Sequence, residues 1–331
     1  MAKLKDIAEA LGISVVTVSN ALSGKKGVSD ALRQEVLDKA QELGYNVSRY
    51  DTKKTGTYSI GVIASEEYLG VGTSFYWYMY QQVAYAAAKK KCFTVFEILN
   101  KQIEEPEKLP DVLTKGEVDG LLVIGWVNHR YIRRILDAVD IPVVLLDFYD
   151  SSFCCDAVMS NNYLGMYKAT RYLLERGHRE IAFLGSVDAN DNIRDRFFGY
   201  RKALEEWKIP LREEWILEDR DIRTLKIQIQ MPERMPTAFA CNSDFTAKYL
   251  YEELVGKGYR IPEDISIVGY DNYLYGHPFA DEITTYNVDI RKMAKTAVSI
   301  LLKKIENEDR YQGVRYLDSE IVERSSVKRL I

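Results

Sequence analysis

The chain opens with three stretches in which apolar positions recur at helical spacing. Leu4, Ile7, Ala8 and Leu11 follow the i, i+3, i+4, i+7 pattern, and Gly12 supplies a sharp turn directly behind them. A second helix is predicted behind Ser14, a capping residue, with Val18, Ala21 and Leu22 facing inward. That phase leaves Val15, Val16, Ser19 and Asn20 on the outer face. A third helix runs from a cap near Ser29 through Leu32, Val36, Ala40 and Leu43 to Gly44, a residue suited to a left-handed helix stop. Residues 1–45 therefore read as a helix-turn-helix bundle and 46–57 as a hinge or linker.

From residue 58 to 331 the pattern changes to short apolar runs alternating with helix-period segments of 10 to 17 residues. Candidate strands are Tyr58 to Ala64, Phe93 to Leu99, Gly120 to Gly125, Val143 to Asp147, Ile181 to Gly185, Ala238 to Cys241 and Ile265 to Tyr270. Helices are predicted between them, among them Tyr76 to Lys90, Tyr163 to Arg176 and Asp244 to Lys257. This alternation predicts an α/β body with parallel strands. Ligands of such sheets sit beyond the carboxyl ends of the strands, which makes the residues just after each strand the candidates for binding.

With 331 residues, the chain is long enough for a small head and two lobes of about 130 residues each. Apolar residues make up 47% and charged residues 28%, the mixture of a soluble globular protein. The net charge of −4 conceals an asymmetry: residues 1–57 hold nine Lys/Arg against seven Asp/Glu, and the remainder holds 36 against 42. Contact with nucleic acid is accordingly expected from the head alone, with modest salt dependence. Cys92, Cys154, Cys155, Cys241 and the three histidines lack metal-ligand spacing, so neither metal nor cofactor is expected. The charged start lacks a targeting pattern and no window reads as a membrane span, so a cytoplasmic protein without a membrane partner is expected.

The outer face of the second helix carries chemistry suited to DNA. Valine methyls on an uncovered helix match thymine methyls in a major groove, so Val15 and Val16 are assigned to base contacts. Asn20, one turn beyond Val16, can pair bidentately with an adenine. Ser14, Thr17, Ser19 and Ser29 can reach phosphates through hydroxyls or helix-start amides, which position without reading sequence. On pattern alone, a three-helix protein-interaction module is the alternative.

Leu4-Lys5-Asp6-Ile7-Ala8, then Gly12-Ile13-Ser14 and Thr17-Val18-Ser19-Asn20-Ala21-Leu22, resemble the head of the lac repressor (LacI/GalR) family. Further segments resemble it in order: Glu42-Leu43-Gly44-Tyr45, Ser59-Ile60-Gly61-Val62, Gly177-His178-Arg179-Glu180-Ile181, Arg196-Phe197-Phe198-Gly199-Tyr200 and Ile267-Val268-Gly269-Tyr270-Asp271. The resemblance implies a periplasmic-binding-protein-like core of two Rossmann-like lobes with an effector cleft between them. It also implies a homodimer on a pseudo-palindromic double-stranded DNA operator. A small effector would change operator affinity by rearranging the lobes, and repression of sugar-utilisation genes is the family's commonest role.

Asp147 and Asp271 each end a predicted strand and Arg196 opens a predicted helix. Two carboxylates and a guanidinium suit the vicinal hydroxyls of a sugar, and the resemblance carries effector contact to these positions. Phe75 and Tyr76, at the start of an aromatic run, are also assigned to the cleft, and Trp126 to stacking on a sugar face. Each has an ordinary alternative, packing for the aromatics and a salt bridge for the charges.

The chain departs from the family pattern at the hinge. Asn46 to Lys54 lacks the proline and the minor-groove leucine of relatives, and Lys53 and Lys54 are assigned to phosphates instead, with a solvated basic linker as the alternative. Around Leu217 to Gln230, where many relatives place a ligand-stacking aromatic, this chain reads Glu218-Asp219-Arg220-Asp221. No leucine heptad follows Arg324, so a coiled-coil tetramer is not expected. An enzyme is not expected, since no phosphate-cradling Gly-x-x-x-x-Gly-Lys-Ser/Thr motif occurs. A cytoplasmic sugar sensor or a sugar-active enzyme with a non-DNA-binding head is the alternative function.

Overall fold

The computed structural model describes residues 2–23, 27–45, 47, 57–69, 74–100, 108–222, 224, 226–306 and 313–330. The head consists of α1 (Leu4–Leu11), α2 (Val15–Leu22) and α3 (Asp30–Glu42). Its helix ends form where small polar residues and glycines stand. Ser14 Oγ accepts from Thr17 N at 3.0 Å, and Ser29 Oγ accepts from Leu32 N at 3.3 Å. Such caps each contribute about 1 kcal/mol. Gly12 turns α1 off in the left-handed region at φ 63°. Ile7, Ala8, Val18, Ala21, Leu22, Val36, Ala40 and Tyr45 make a separate small core. Arg33 Nε donates to Ala21 O at 3.1 Å, satisfying a carbonyl that the end of α2 would leave open.

The body alternates strand and helix. Its first part holds β1 (Ser59–Ser65), α4 (Glu66–Leu69), α5 (Phe75–Lys89), β2 (Phe93–Leu99), α6 (Asp111–Thr114), β3 (Gly120–Ile124), α7 (His129–Ala138) and β4 (Val143–Leu146). There follow β5 (Asp156–Ser160), α8 (Asn162–Glu175), β6 (Ile181–Leu184), α9 (Asp191–Glu206) and β7 (Ile216–Leu217). The last part holds β8 (Ala238–Cys241), α10 (Asp244–Gly256), β9 (Ser266–Asp271), β10 (Thr284–Asn287), α11 (Ile290–Ile305), β11 (Val314–Leu317) and β12 (Ile321–Val322).

Two compact units result. Unit 1 comprises Met1–Val158 with Arg291–Arg315, and unit 2 comprises Met159–Ile290 with Tyr316–Ile331, so the chain passes from one to the other three times. The sheet orders are β11-β5-β4-β3-β1-β2 and β12-β10-β9-β8-β6-β7. Without their last-made strands, both read second, first, third, fourth, fifth, and the β1–β3 and β6–β8 pairs are parallel. The α/β expectation is met twice by the same winding.

All seven predicted strands are present, with some ends displaced. Gly125 and Asp147 lie beyond β3 and β4 because each turns left-handed, at φ 70° and 67°. The sequence reading missed β5, β7, β10, β11 and β12; of these, β5 and β10 lie inside the sheets and bury polar residues. Asp156 at the start of β5 pairs with Lys304 of α11 at 2.5 Å and accepts Gly313 N at 2.8 Å. In β10, Thr284 Oγ1 donates to Arg324 O at 3.1 Å and Thr285 Oγ1 to Asp244 Oδ1 at 2.7 Å. Hydrogen bonds supplied by distant residues make these short polar segments suitable for a sheet interior. In unit 2, α8 and α9 meet at backbone contact: a Cβ on Gly199 would stand 2.1 Å from Tyr163 O.

Asp244 is buried at the head of α10, and its other oxygen accepts Tyr273 N at 2.9 Å. Burial pushes this carboxyl up to about 7, against the opposing effect of the Thr285 hydroxyl and backbone donors. The folded state therefore holds a proton that the unfolded chain releases near pH 4. The stability this gives is complete below pH 4 and is lost as pH rises through 7. Asp244→Asn is expected to remove that slope: in urea melts followed from pH 4 to 8, the variant gains on the parent up to about pH 7 and stays parallel above it. Parallel curves across the whole range would show that Asp244 does not titrate in the folded protein.

Candidate functional site

The α2 helix of the head divides as its apolar spacing requires. Val18, Ala21 and Leu22 are buried, while Val15 and Val16 are 42% and 68% exposed. Thr17, Ser19 and Asn20 are half-buried and Ser14 and Ser29 are exposed. The Asn20 amide has no hydrogen-bond partner among the described residues. The hydroxyls of Ser14 and Thr17 lie 2.8 Å apart at the helix start, beside amides that α-helical bonding leaves open. A face of two exposed valines, a free amide and hydroxyls at a helix N-terminus has the donors and methyl groups that major-groove recognition uses. Lys53 and Lys54 lie outside the described residues, as does most of the hinge.

In unit 1 the candidate groups gather at the carboxyl ends of the strands. The Tyr76 hydroxyl, from the first turn of α5, donates to Asp147 Oδ2 at 3.0 Å. Asp147 is 97% buried, being 3% exposed, directly beyond β4. Phe75 and Tyr68 meet the Tyr76 ring edge-on, with centroids 5.2 and 5.4 Å away. Gly125 suits this position by its φ of 70°, and a Cβ would stand 3.1 Å from the Tyr76 ring, close enough that the ring would have to shift. Trp126 follows it and is exposed. The structure thus joins Phe75, Tyr76 and Asp147 in one cluster and leaves Trp126 on the surface beside it.

Unit 2 contains Arg196 and Asp271. Arg196 lies in the second turn of α9, not at its start, because Asn190 caps the helix by accepting Ile193 N at 3.0 Å. Its guanidinium is almost fully buried. Nε donates to Asn162 Oδ1 at 2.8 Å, Nη1 to Asn242 O at 2.6 Å, and Nη2 stands 3.5 Å from Asp271 Oδ1. The group lies over the Tyr270 ring, 3.9 Å from its centroid, a cation–π contact that fixes its plane. Asp271 has φ 107° and Asn272 φ 54°, two consecutive left-handed residues. Backbone in this region costs of order 1 kcal/mol or more for a residue with a Cβ and tends to persist at functional sites.

The two clusters correspond. In each sheet the fourth strand ends in a left-handed aspartate, and in each the donor comes from the helix behind the first strand: Tyr76 from α5, Arg196 from α9. Each arrangement offers carboxylate acceptors and hydroxyl or guanidinium donors, the complement of a ligand rich in hydroxyls.

Asn162, Asn242, Asp219 and Arg220 were missed by the sequence reading as functional groups. Asp219 is fully buried, and burial alone would raise its carboxyl. The Arg220 guanidinium and the Thr246 hydroxyl instead hold it well below the ordinary carboxylate range. Asn242 immediately follows β8, so the rule that favours residues beyond strand ends would have found it. Among the described residues, no group of three or more His, Cys, Asp and Glu side chains is arranged to hold a metal. No described helix is long and apolar enough to cross a membrane.

Comparison with known proteins agrees with this anatomy. Residues 3–48 match the bacterial regulatory proteins of the lacI family, and residues 170–327 match a periplasmic binding protein-like domain. The HTH-type transcriptional repressor PurR of Vibrio atlanticus (strain LGP32) is 34% identical over 100% of both chains. Among solved structures, the regulator CelR in complex with cellobiose shares 23% identity and a TM-score of 0.69, over 98% of this chain and 100% of that one. The lac repressor dimer bound to operator and the anti-inducer ONPF shares 22% identity and a TM-score of 0.68, over 99% of both. A regulator from Enterococcus faecium with bound ribose shares 24% identity and a TM-score of 0.65, over 82% of this chain and 100% of that one. These structural likenesses carry the fold, and the full-length identity to PurR carries the family: the chain is a DNA-binding transcriptional repressor of the lacI family.

Proposed function

We propose that this repressor controls sugar-utilisation genes and that a small sugar-like effector sets its affinity for a pseudo-palindromic operator. The observation that carries the reading is the repeated constellation of a strand-ending aspartate with a donor from a helix, Tyr76 of α5 with Asp147 and Arg196 of α9 with Asp271. Hydroxyl-bearing ligands suit such pairs because one hydroxyl can donate to the carboxylate while accepting from its partner. Two structural neighbours are occupied by sugars, cellobiose and ribose. Val15, Val16 and Asn20 read bases; Ser14, Thr17, Ser19, Ser29, Lys53 and Lys54 hold phosphates. Phe75, Tyr76, Trp126, Asp147, Arg196 and Asp271 serve the effector.

The working unit is a homodimer, since two heads on two half-sites require a two-fold axis. An uncovered apolar edge supports it. β2 is the last strand of its sheet and exposes Phe93, Val95 and Ile98, a surface that water disfavours and a second copy would cover. Phe93→Asp with Val95→Asp is expected to give a monomer in sedimentation equilibrium and to weaken operator binding at least tenfold. An unchanged dimer would place the interface elsewhere.

The effector reading is tested by binding the purified protein to genomic fragments, including the sequence upstream of its own gene, with and without a panel of sugars. One fragment is expected to bind and one sugar to change its affinity; loosening makes that sugar an inducer and tightening a corepressor. A response to a planar heterocycle and to no sugar would overturn the sugar reading. In the same assay Asn20→Ala should lose about 1–3 kcal/mol of operator affinity, roughly 5- to 150-fold, while effector binding stays unchanged. Equal operator affinity in parent and variant would remove Asn20 from the reading face.

A further inference from the structure

Arg220 stands three residues beyond β7, and its main chain is fixed there by Ser186 at the end of β6. Arg220 N donates to Ser186 Oγ at 3.2 Å, and Ser186 Oγ donates to Arg220 O at 3.1 Å. One edge of the guanidinium is held by Asp219, with Nε at 3.0 and 3.1 Å from the two oxygens and Nη2 at 2.5 Å from Oδ2. Asp219 is itself saturated: it accepts the Thr246 hydroxyl at 2.7 Å, Asn242 Nδ2 at 2.8 Å and Ser186 N at 2.9 Å. The same Asn242 gives its carbonyl oxygen to Arg196. One asparagine thus ties the two arginines of unit 2 into a single array, Arg196–Asn242–Asp219–Arg220, at the carboxyl ends of β6, β7 and β8.

The array leaves part of Arg220 unused. A guanidinium carries five N–H donors, and those on Nη1 have no acceptor among the described residues. The side chain is 19% exposed, so the guanidinium is not sealed off from solvent, while its Nε–Nη2 edge is locked by Asp219. A donor edge fixed in plane and direction loses little freedom on meeting a ligand, which is how a site gains discrimination.

We infer that Arg220 is a specificity-determining residue of the effector site, its open edge donating to acceptor oxygens of the bound effector, with Asp219 as the residue that positions it. The inference rests on the sugar-effector reading. The shared chemistry is an oxygen acceptor, supplied by a sugar hydroxyl pair or by the acid oxygens of a sugar phosphate or sugar acid.

The test is calorimetric titration of the full-length protein and of Arg220→Lys and Arg220→Gln with a panel of neutral sugars, each paired with its phosphate. Operator affinity without effector and the melting temperature are measured alongside. Arg220→Lys keeps a cation against buried Asp219 but loses the planar fork. Both variants are expected to bind the responsive ligand at least tenfold more weakly, with operator affinity within about twofold of the parent. A larger loss for the phosphate than for its neutral sugar identifies an acid acceptor, and equal losses identify hydroxyls. Asp219→Asn, which slackens the hold on the guanidinium, is expected to narrow the parent's preference among the panel. Parent-like effector affinity in both Arg220 variants would overturn the inference. So would a joint fall in effector affinity, operator affinity and melting temperature, which marks a structural residue. A parent protein that answers none of the panel sinks the sugar-effector reading, and this inference with it.

Discussion

A carboxylate held where a central parallel strand runs out imposes two demands at once. The main chain must leave the sheet within a residue, and the charge must find donors in a place with little water. Asp147 and Asp271 meet the first demand by turning left-handed, at φ 67° and 107°, and the second through Tyr76 and Arg196. Much of the surrounding structure follows from that. The left-handed Gly125 leaves room for the Tyr76 ring, and the aromatic Tyr270 gives the Arg196 guanidinium a face to rest on. Asp244, beneath the same turn in unit 2, fastens Tyr273 N and Thr285, so the turn that aims Asp271 is tied to two neighbouring segments.

What the sequence reveals of this depends on whether a residue's surroundings are local. Ala238–Cys241 can be read to the residue, since four consecutive apolar residues need no distant partner to justify burial. β5 and β10 are hidden because Asp156 answers to Lys304 and Thr284 to Arg324, partners that only the folded sheets bring near. The helical head is legible throughout for the opposite reason: its caps, turns and apolar faces all act within a few residues. The same division runs through the candidate residues of each unit. Tyr76, Asp147, Arg196 and Asp271 are marked by standing just beyond strands or on the helices behind them. The bond from Asn242 to Asp219 joins residues 23 apart, through a sheet order in which β6 lies between β8 and β7.

The head and the body also differ in what they ask of electrostatics. The outer face of α2 is nearly neutral, with two valines, an amide and hydroxyls, a surface that offers shape and hydrogen bonding more than charge. The units bury their charges in hydrogen-bonded pairs instead. Asp156–Lys304, Asp219–Arg220 and Arg196–Asp271 each leave a large penalty if one partner is removed. Single substitutions of these partners therefore report on folding as well as function, and isosteric ones separate the two.

The threefold passage of the chain between the units bears on the order of synthesis. Unit 1 lacks α11 until residue 305 has been made, and neither sheet has its outer strand, β11 or β12, until residues 314–322 follow. The head, whose core closes within the first 45 residues, needs none of them. A nascent chain on the ribosome therefore owns the core of its helical head long before either sheet of the body is complete.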